Sequence, residues 1–180
     1  MAKNDNPHAL RLLESMEKQN MADEANKFAE EHPLSKSANI EKKFEWAQKV
    51  CEFLNESFDD DTVKAIRMEC ACGPELGKGK KLKDIFEKET DISVFVEKVN
   101  KLNQGFTIEY DGEYFYLIYP QCYCSCVKRI DQRLPKAWCY CTLGYTKRMF
   151  EYIFSKDIQV ELLTSVKMGD ENCRIRIKAD

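Results

Sequence analysis

The sequence predicts an α+β protein in which N-terminal helices precede an antiparallel sheet of about four strands, ordered β-β-α-β-β and covered by helices. Three observations carry this. Apolar residues recur at helical spacing through the first hundred positions, the period changes to strict alternation after Gly105, and two later alternating runs follow one more helical run. With 180 residues the chain has material for one substantial core. A helical region over 1–104 and a cysteine-rich α+β region over 105–180 are therefore expected to form one compact domain together.

The elements follow in order. From Pro7 to Glu31, Leu10, Leu13, Met16, Met21, Ala25 and Phe28 mark one helix, or two broken near Asn20, and His32-Pro33 stops the pattern. Ser37-Ala38-Asn39 offers caps for a helix whose apolar stripe is Ile40, Phe44, Ala47, Val50, Cys51 and Leu54, which makes Cys51 a core residue. Asp59, Asp60 and Asp61 suit a helix start before Val63, Ile66 and Met68, and that helix runs into Glu69-Cys70-Ala71-Cys72-Gly73-Pro74, where Gly-Pro ends it. The stretch GPELGKGKK lacks the spacing, the Ser or Thr and the preceding strand of a phosphate loop, which excludes that reading. Helices are expected near 81–89 and 92–103. Phe106, Ile108 and Tyr110 then alternate, Asp111-Gly112 suits a primed hairpin turn, and Tyr114–Tyr119 is the return strand. After a cysteine-rich loop, Leu143, Met149, Phe150, Ile153 and Phe154 mark a helix, and strands near 158–166 and 172–178 flank the turn Met168-Gly169-Asp170-Glu171.

Composition narrows the function classes. No apolar run approaches the ~18 residues a membrane span needs, and MAKNDNPHAL lacks the apolar stretch of a signal peptide, so a cytoplasmic protein without membrane partners is expected. A formal net charge of −3 argues against a general nucleic-acid binder. Residues 1–60 hold eight basic and thirteen acidic side chains, as a solvated helical face would.

Nine cysteines without an export signal read as metal binding or thiol chemistry rather than a disulfide framework. Cys122-Tyr123-Cys124-Ser125-Cys126 and Trp138-Cys139-Tyr140-Cys141 carry most of the signal, joined by Cys70, Cys72 and Cys173. Thiolates suit zinc or iron-sulfur centres, and in a loop a CxC pair can aim both sulfurs at one ion. There is no CxxC, however, and no histidine beyond His8 and His32. In strands the same pairs would share one face and serve packing. Lys128, Arg129, Arg133, Lys136, Lys147 and Arg148 lie close in sequence to these cysteines and would lower a thiol pKa and attract a carboxylate, unless they form a solvated face.

The stretch Trp138 to Ile177 resembles the C-terminal half of the 4-vinyl reductase domain, with Cys139 before Gly144-Tyr145, Glu161 in the next strand, and Gly169-Asp170 with Cys173. The resemblance implies a small-molecule sensor or tetrapyrrole-related protein with a zinc ion beside an apolar pocket. Ser165 stands where that family often has a further cysteine, and Cys141 is the thiolate that would replace it. The chain also resembles the family of 2-aminothiazoline-carboxylate hydrolases, through Phe115 to Cys122, Trp138 to Tyr145 and Gly169 to Cys173, which implies hydrolysis of a carbon-sulfur or carbon-nitrogen bond.

Three readings follow. The first is a binding module for a small apolar or carboxylate-bearing molecule, with zinc held by Cys139, Cys141, Glu161 and Cys173 and a pocket lined by Tyr116, Trp138 and Tyr145. The second is an enzyme in which Cys122, Cys124 or Cys126 is the nucleophile or a metal activates water, with Glu69 or Asp131 as base unless His8 or His32 is brought over. The third is thiol redox or metal handling. The missing local histidine favours binding.

Overall fold

The computed structural model describes residues 4–71 and 77–179. Its helices are α1 (Pro7–Lys18), α2 (Ala22–Glu31), α3 (Ile40–Ser57), α4 (Asp60–Glu69), α5 (Gly77–Phe86), α6 (Ile92–Lys101) and α7 (Lys136–Phe154), and its strands are β1 (Thr107–Tyr110), β2 (Phe115–Tyr119), β3 (Ile158–Thr164) and β4 (Cys173–Ala179). The class is α+β, with one antiparallel sheet ordered β1-β2-β4-β3. No helix among the described residues is long and apolar enough to cross a membrane.

The chain divides into two compact units. One unit is Met1–Cys72 with Tyr123–Gly144, the other Gly73–Cys122 with Tyr145–Asp180. The helices α5 and α6 go with the sheet because α6 packs on β1. The Asn100 side chain seals that contact, donating to the Ile108 carbonyl at 2.9 Å and accepting from its N–H at 2.8 Å.

In the first unit the helix boundaries follow their caps. Asn6, Asn39 and Asp59 each accept an N–H from the first turn of the next helix, and Pro7 occupies a position where its missing N–H costs nothing. The break between α1 and α2 sits at Asn20, whose φ of 61° is left-handed. Cys51 is 1% exposed, as its place on the α3 stripe requires.

In the second unit the inner sheet face is Ile108, Phe115, Leu117, Ile158, Leu162, Ile175 and Ile177, all buried. Helices cover it through a ring cluster in which Phe115 lies 5.1 Å from Phe154 and Phe86 lies 4.7 Å from Phe154. On the outer face Arg174 pairs with Glu109 and lies over Tyr116, Arg176 pairs with Glu161 and lies over Tyr114, and Lys178 pairs with Glu113. The β1–β2 turn differs from the primed type. Only Gly112 has positive φ, at 103°, and the Asp111 carboxylate instead accepts the N–H groups of Glu113 and Tyr114 in a longer loop. Gly169, with φ 107°, closes a short 3-10 turn at Val166–Met168 where the β3–β4 turn was expected.

The largest departure is α7. It begins at Lys136, so Cys139 and Cys141 lie in a helix and not in a loop. Two positions on, a helix has turned through about 200°, so this CxC pair points its sulfurs to opposite sides.

Candidate functional site

Val63, Ile66, Arg67 and Cys70 fall on one face of α4 and its C-cap, and all four are buried. Arg67 thus occupies a core position and is 3% exposed. It is held against the first turn of α7. Its Nε donates to the Ala137 carbonyl at 3.4 Å, its Nη2 to the Trp138 carbonyl at 3.0 Å, and its guanidinium carbon lies 4.5 Å from the Trp138 ring centre. The approach depends on Gly144, where a Cβ would fall 1.9 Å from the Met68 carbonyl oxygen.

Burial alone would work against the arginine's charge, and the acidic groups that bear on it most are the thiols of Cys70, Cys141, Cys51 and Cys124, which together raise its pKa. Two of them, Cys51 and Cys70, are themselves weaker acids than an ordinary thiol. Burial pushes Cys51 up to about 11 and also raises Cys70, in both cases outweighing the attraction of Arg67. At neutral pH Cys51 and Cys70 are therefore uncharged. Among the described residues no carboxylate pairs with Arg67, which cannot release its proton in a protein. A buried cation with only carbonyls, an indole and thiols around it is a costly arrangement.

His8 adds to the same environment. Its Nδ1 lies 3.3 Å from Arg11 Nη2, its Nε2 lies 3.3 Å from Ser125 Oγ, and its ring centre is 6.5 Å from that of Trp138. Arginine can only donate, so Nδ1 is the acceptor and Nε2 carries the proton, donating to Ser125. Burial, followed by Arg11, Arg67 and Lys43, lowers the imidazole to about 4, so it is neutral. Two further donors of the cluster, Arg11 Nε and Trp138 Nε1, are buried with no hydrogen-bond partner among the described residues. The site is rich in donors and positive charge and short of acceptors.

The expected site residues divide between the two units. Cys139, half-buried, and Cys141, buried with its thiol directed to the Trp138 carbonyl at 3.5 Å, belong to the first unit. Glu161 and Cys173 belong to the second, where Glu161 is exposed and paired with Arg176 and the Cys173 sulfur accepts the Val166 N–H at 3.4 Å. Among the described residues no three His, Cys, Asp or Glu side chains gather as a metal ion would need. Cys70 caps α4 and directs its thiol to the Ile66 carbonyl at 3.3 Å, while Cys72 lies outside the described residues. Cys122 and Cys124 are half-buried, and Cys126 is buried with its thiol 3.4 Å from the Lys43 carbonyl. Of the expected pocket residues, only Trp138 joins the cluster. Tyr116 lies on the outer sheet face, its hydroxyl donating to Asp111 at 2.7 Å, and Tyr145 is half-buried in the second unit.

Sequence reasoning passed over Arg67, Arg11 and Lys43. For Arg67 a signal existed: it completes the i, i+3, i+4 stripe from Val63 to Cys70, where a charge breaks the pattern. His8 is the histidine that the fold brings to the cysteine segment, at Ser125.

A family model matches residues 6–180, that of a family of unknown function, DUF6144. No match exists among the curated proteins. Among solved structures, an H-NOX protein from S. oneidensis in the Fe(II)NO ligation state is similar at 20% identity and a TM-score of 0.45, over 97% of this chain and 99% of that one. A trafficking protein particle complex subunit 3 from Naegleria fowleri, covalently bound to palmitic acid, is similar at 12% identity and a TM-score of 0.45, over 78% of this chain and 94% of that one.

Proposed function

We propose that this chain, which belongs to the DUF6144 family of unknown function, binds a small molecule through an anionic head group, with Arg67 as the buried anchor. The observation that carries the reading is the fully buried arginine without a carboxylate partner among the described residues. Arg11 Nε and Trp138 Nε1, buried with no hydrogen-bond partner among the described residues, support it. All three side chains are donors only, so the group that satisfies them is acceptor-rich, and the buried charge favours an anion over water. A planar carboxylate matches a guanidinium fork best.

The tautomer of His8 favours binding over catalysis. With Nδ1 occupied by Arg11 and the proton on Nε2, the ring is not placed as a base toward Ser125 or its cysteine neighbours.

Benzoate and its neutral analogue benzamide test this, with the emission of the two tryptophans, Trp46 and Trp138, whose ring centres lie 6.2 Å apart, as the readout. Benzoate should give a saturable change that benzamide does not. Arg67→Met keeps the volume and removes the charge, and should weaken benzoate by at least ~30-fold, the lower end for loss of a buried charge partner. Equal responses to benzoate and benzamide, or undiminished binding by the Met variant, would refute the reading.

A further inference from the structure

We propose that filling this anion site is coupled to the uptake of one proton by His8 at Nδ1, so that the protein holds an anion more tightly as the pH falls. The inference rests on the anion-site reading and adds the regulation of that site. Its geometric basis is the contact between Arg11 Nη2 and His8 Nδ1 at 3.3 Å. Because the arginine must be the donor, that contact occupies the one lone pair through which the imidazole could take a proton. Protonation and the Arg11 contact are mutually exclusive.

Among the described residues, the charged groups that bear on the ring all act in the same direction. Arg11 lies one turn along α1, Lys43 comes from α3 and Arg67 from α4, while Ser125 and the Trp138 ring contribute no charge. His8 also sits at the second position of α1, where the helix end is positive. An arriving anion reverses these effects together. It neutralises part of the cationic field and competes for the Nη2 donor, and the Arg11 Nε, which has no acceptor among the described residues, can follow it. The Nδ1 lone pair is then exposed, a proton comes from solvent, and the imidazolium becomes a further donor and positive charge for the anion. Linkage requires that whatever the anion does to the proton affinity of His8, the proton does to the affinity for the anion.

Inorganic sulfate is the probe, because it stays fully ionised across the range and its own titration cannot mimic the effect. Calorimetric titration at constant ionic strength should show binding about tenfold tighter at pH 5.5 than at pH 7.5, the change expected if the occupied site returns His8 to an ordinary imidazole pKa. Repeating the titration in buffers of different ionisation enthalpy should show net proton uptake at pH 5.5. The chain has two histidines, so ring NMR signals can follow Nδ1 directly. His8→Gln should make the ratio between the two pH values flat, while His32→Gln, whose ring packs on Phe28, should keep it. Sulfate binding that is equal at both pH values overturns the coupling and leaves the site standing. Binding at neither pH overturns the site and the coupling with it, and a pH dependence that survives in His8→Gln assigns the proton elsewhere and overturns the role of His8.

Discussion

Replacing Gly144 with alanine adds one methyl group in the middle of a helix, where alanine is ordinarily favoured by about 1 kcal/mol. Here the new Cβ would stand 1.9 Å from the carbonyl oxygen of Met68 and 2.6 Å from its carbonyl carbon. Both are backbone atoms of α4 and cannot rotate away, so α4 and α7 must part by about 1.5 Å to reach ordinary contact. That displacement falls beside Arg67, whose bonds to Ala137 and Trp138 span the same pair of helices. Overpacking costs about 1–3 kcal/mol and each weakened bond from a buried charge about 1.5–3 kcal/mol. After the helix-propensity gain, a net loss of about 3–5 kcal/mol is expected, or a melting temperature lower by about 10 °C for a chain of this size. Thermal and urea unfolding followed by circular dichroism measure it. Gly79 provides the comparison, since its added Cβ would meet only Tyr152 and Met149 side-chain atoms, at 3.4 and 3.6 Å. Gly79→Ala should leave stability unchanged or raise it by up to about 1 kcal/mol. If Gly144→Ala is as stable as Gly79→Ala, the close crossing of α4 and α7 is wrong.

Two further outcomes are expected. The pKa of His8 in the folded chain, about 4, lies below the ordinary 6.5, so its contribution to stability is fully present above pH 6.5 and is lost as the pH falls through 4. Allowing for screening of a half-buried ring, the loss is about 2 kcal/mol, and urea unfolding at pH 7.5 and pH 4.5 should show it in the wild type and not in His8→Gln. Cys51 and Cys70, buried and with raised thiol pKa, should resist iodoacetamide in the native protein at pH 8, while half-exposed Cys122, Cys124, Cys139 and Cys173 are labelled. Peptide mapping by mass spectrometry would show the reverse order if the buried cluster opened readily.

The helices and the sheet were legible because their signals are local. Asn39 and Asp59 cap where their side chains can reach the next N–H groups, and the alternation of Phe106, Ile108 and Tyr110 survives into β1 and its approach. The start of α7 was not, because Cys139 and Cys141 invited a loop while tertiary packing of Trp138 and Tyr140, each 2% exposed, extends the helix over them. The site was harder still. Its members come from α1, α3, α4, the segment after β2 and α7, and nothing in the order of the residues places His8 beside Ser125. The cysteines drew attention as possible ligands, whereas three of those nearest Arg67 are buried thiols whose part is to surround a charge. Arg67 itself was readable only as a fault in an apolar stripe.

The outer face of the sheet has a consequence for how such a sequence can vary. Each cation of β4 is matched twice, Arg174 by Glu109 and the Tyr116 ring, Arg176 by Glu161 and the Tyr114 ring, and Lys178 by Glu113 and the Tyr114 ring. Reversing one sign would set like charges side by side, on adjacent strands for Arg176 and Glu161 and across β2 for Arg174 and Glu109. Substitutions on this face are therefore tolerated best when both partners of a pair exchange together, and in relatives that keep the sheet these positions should drift in step.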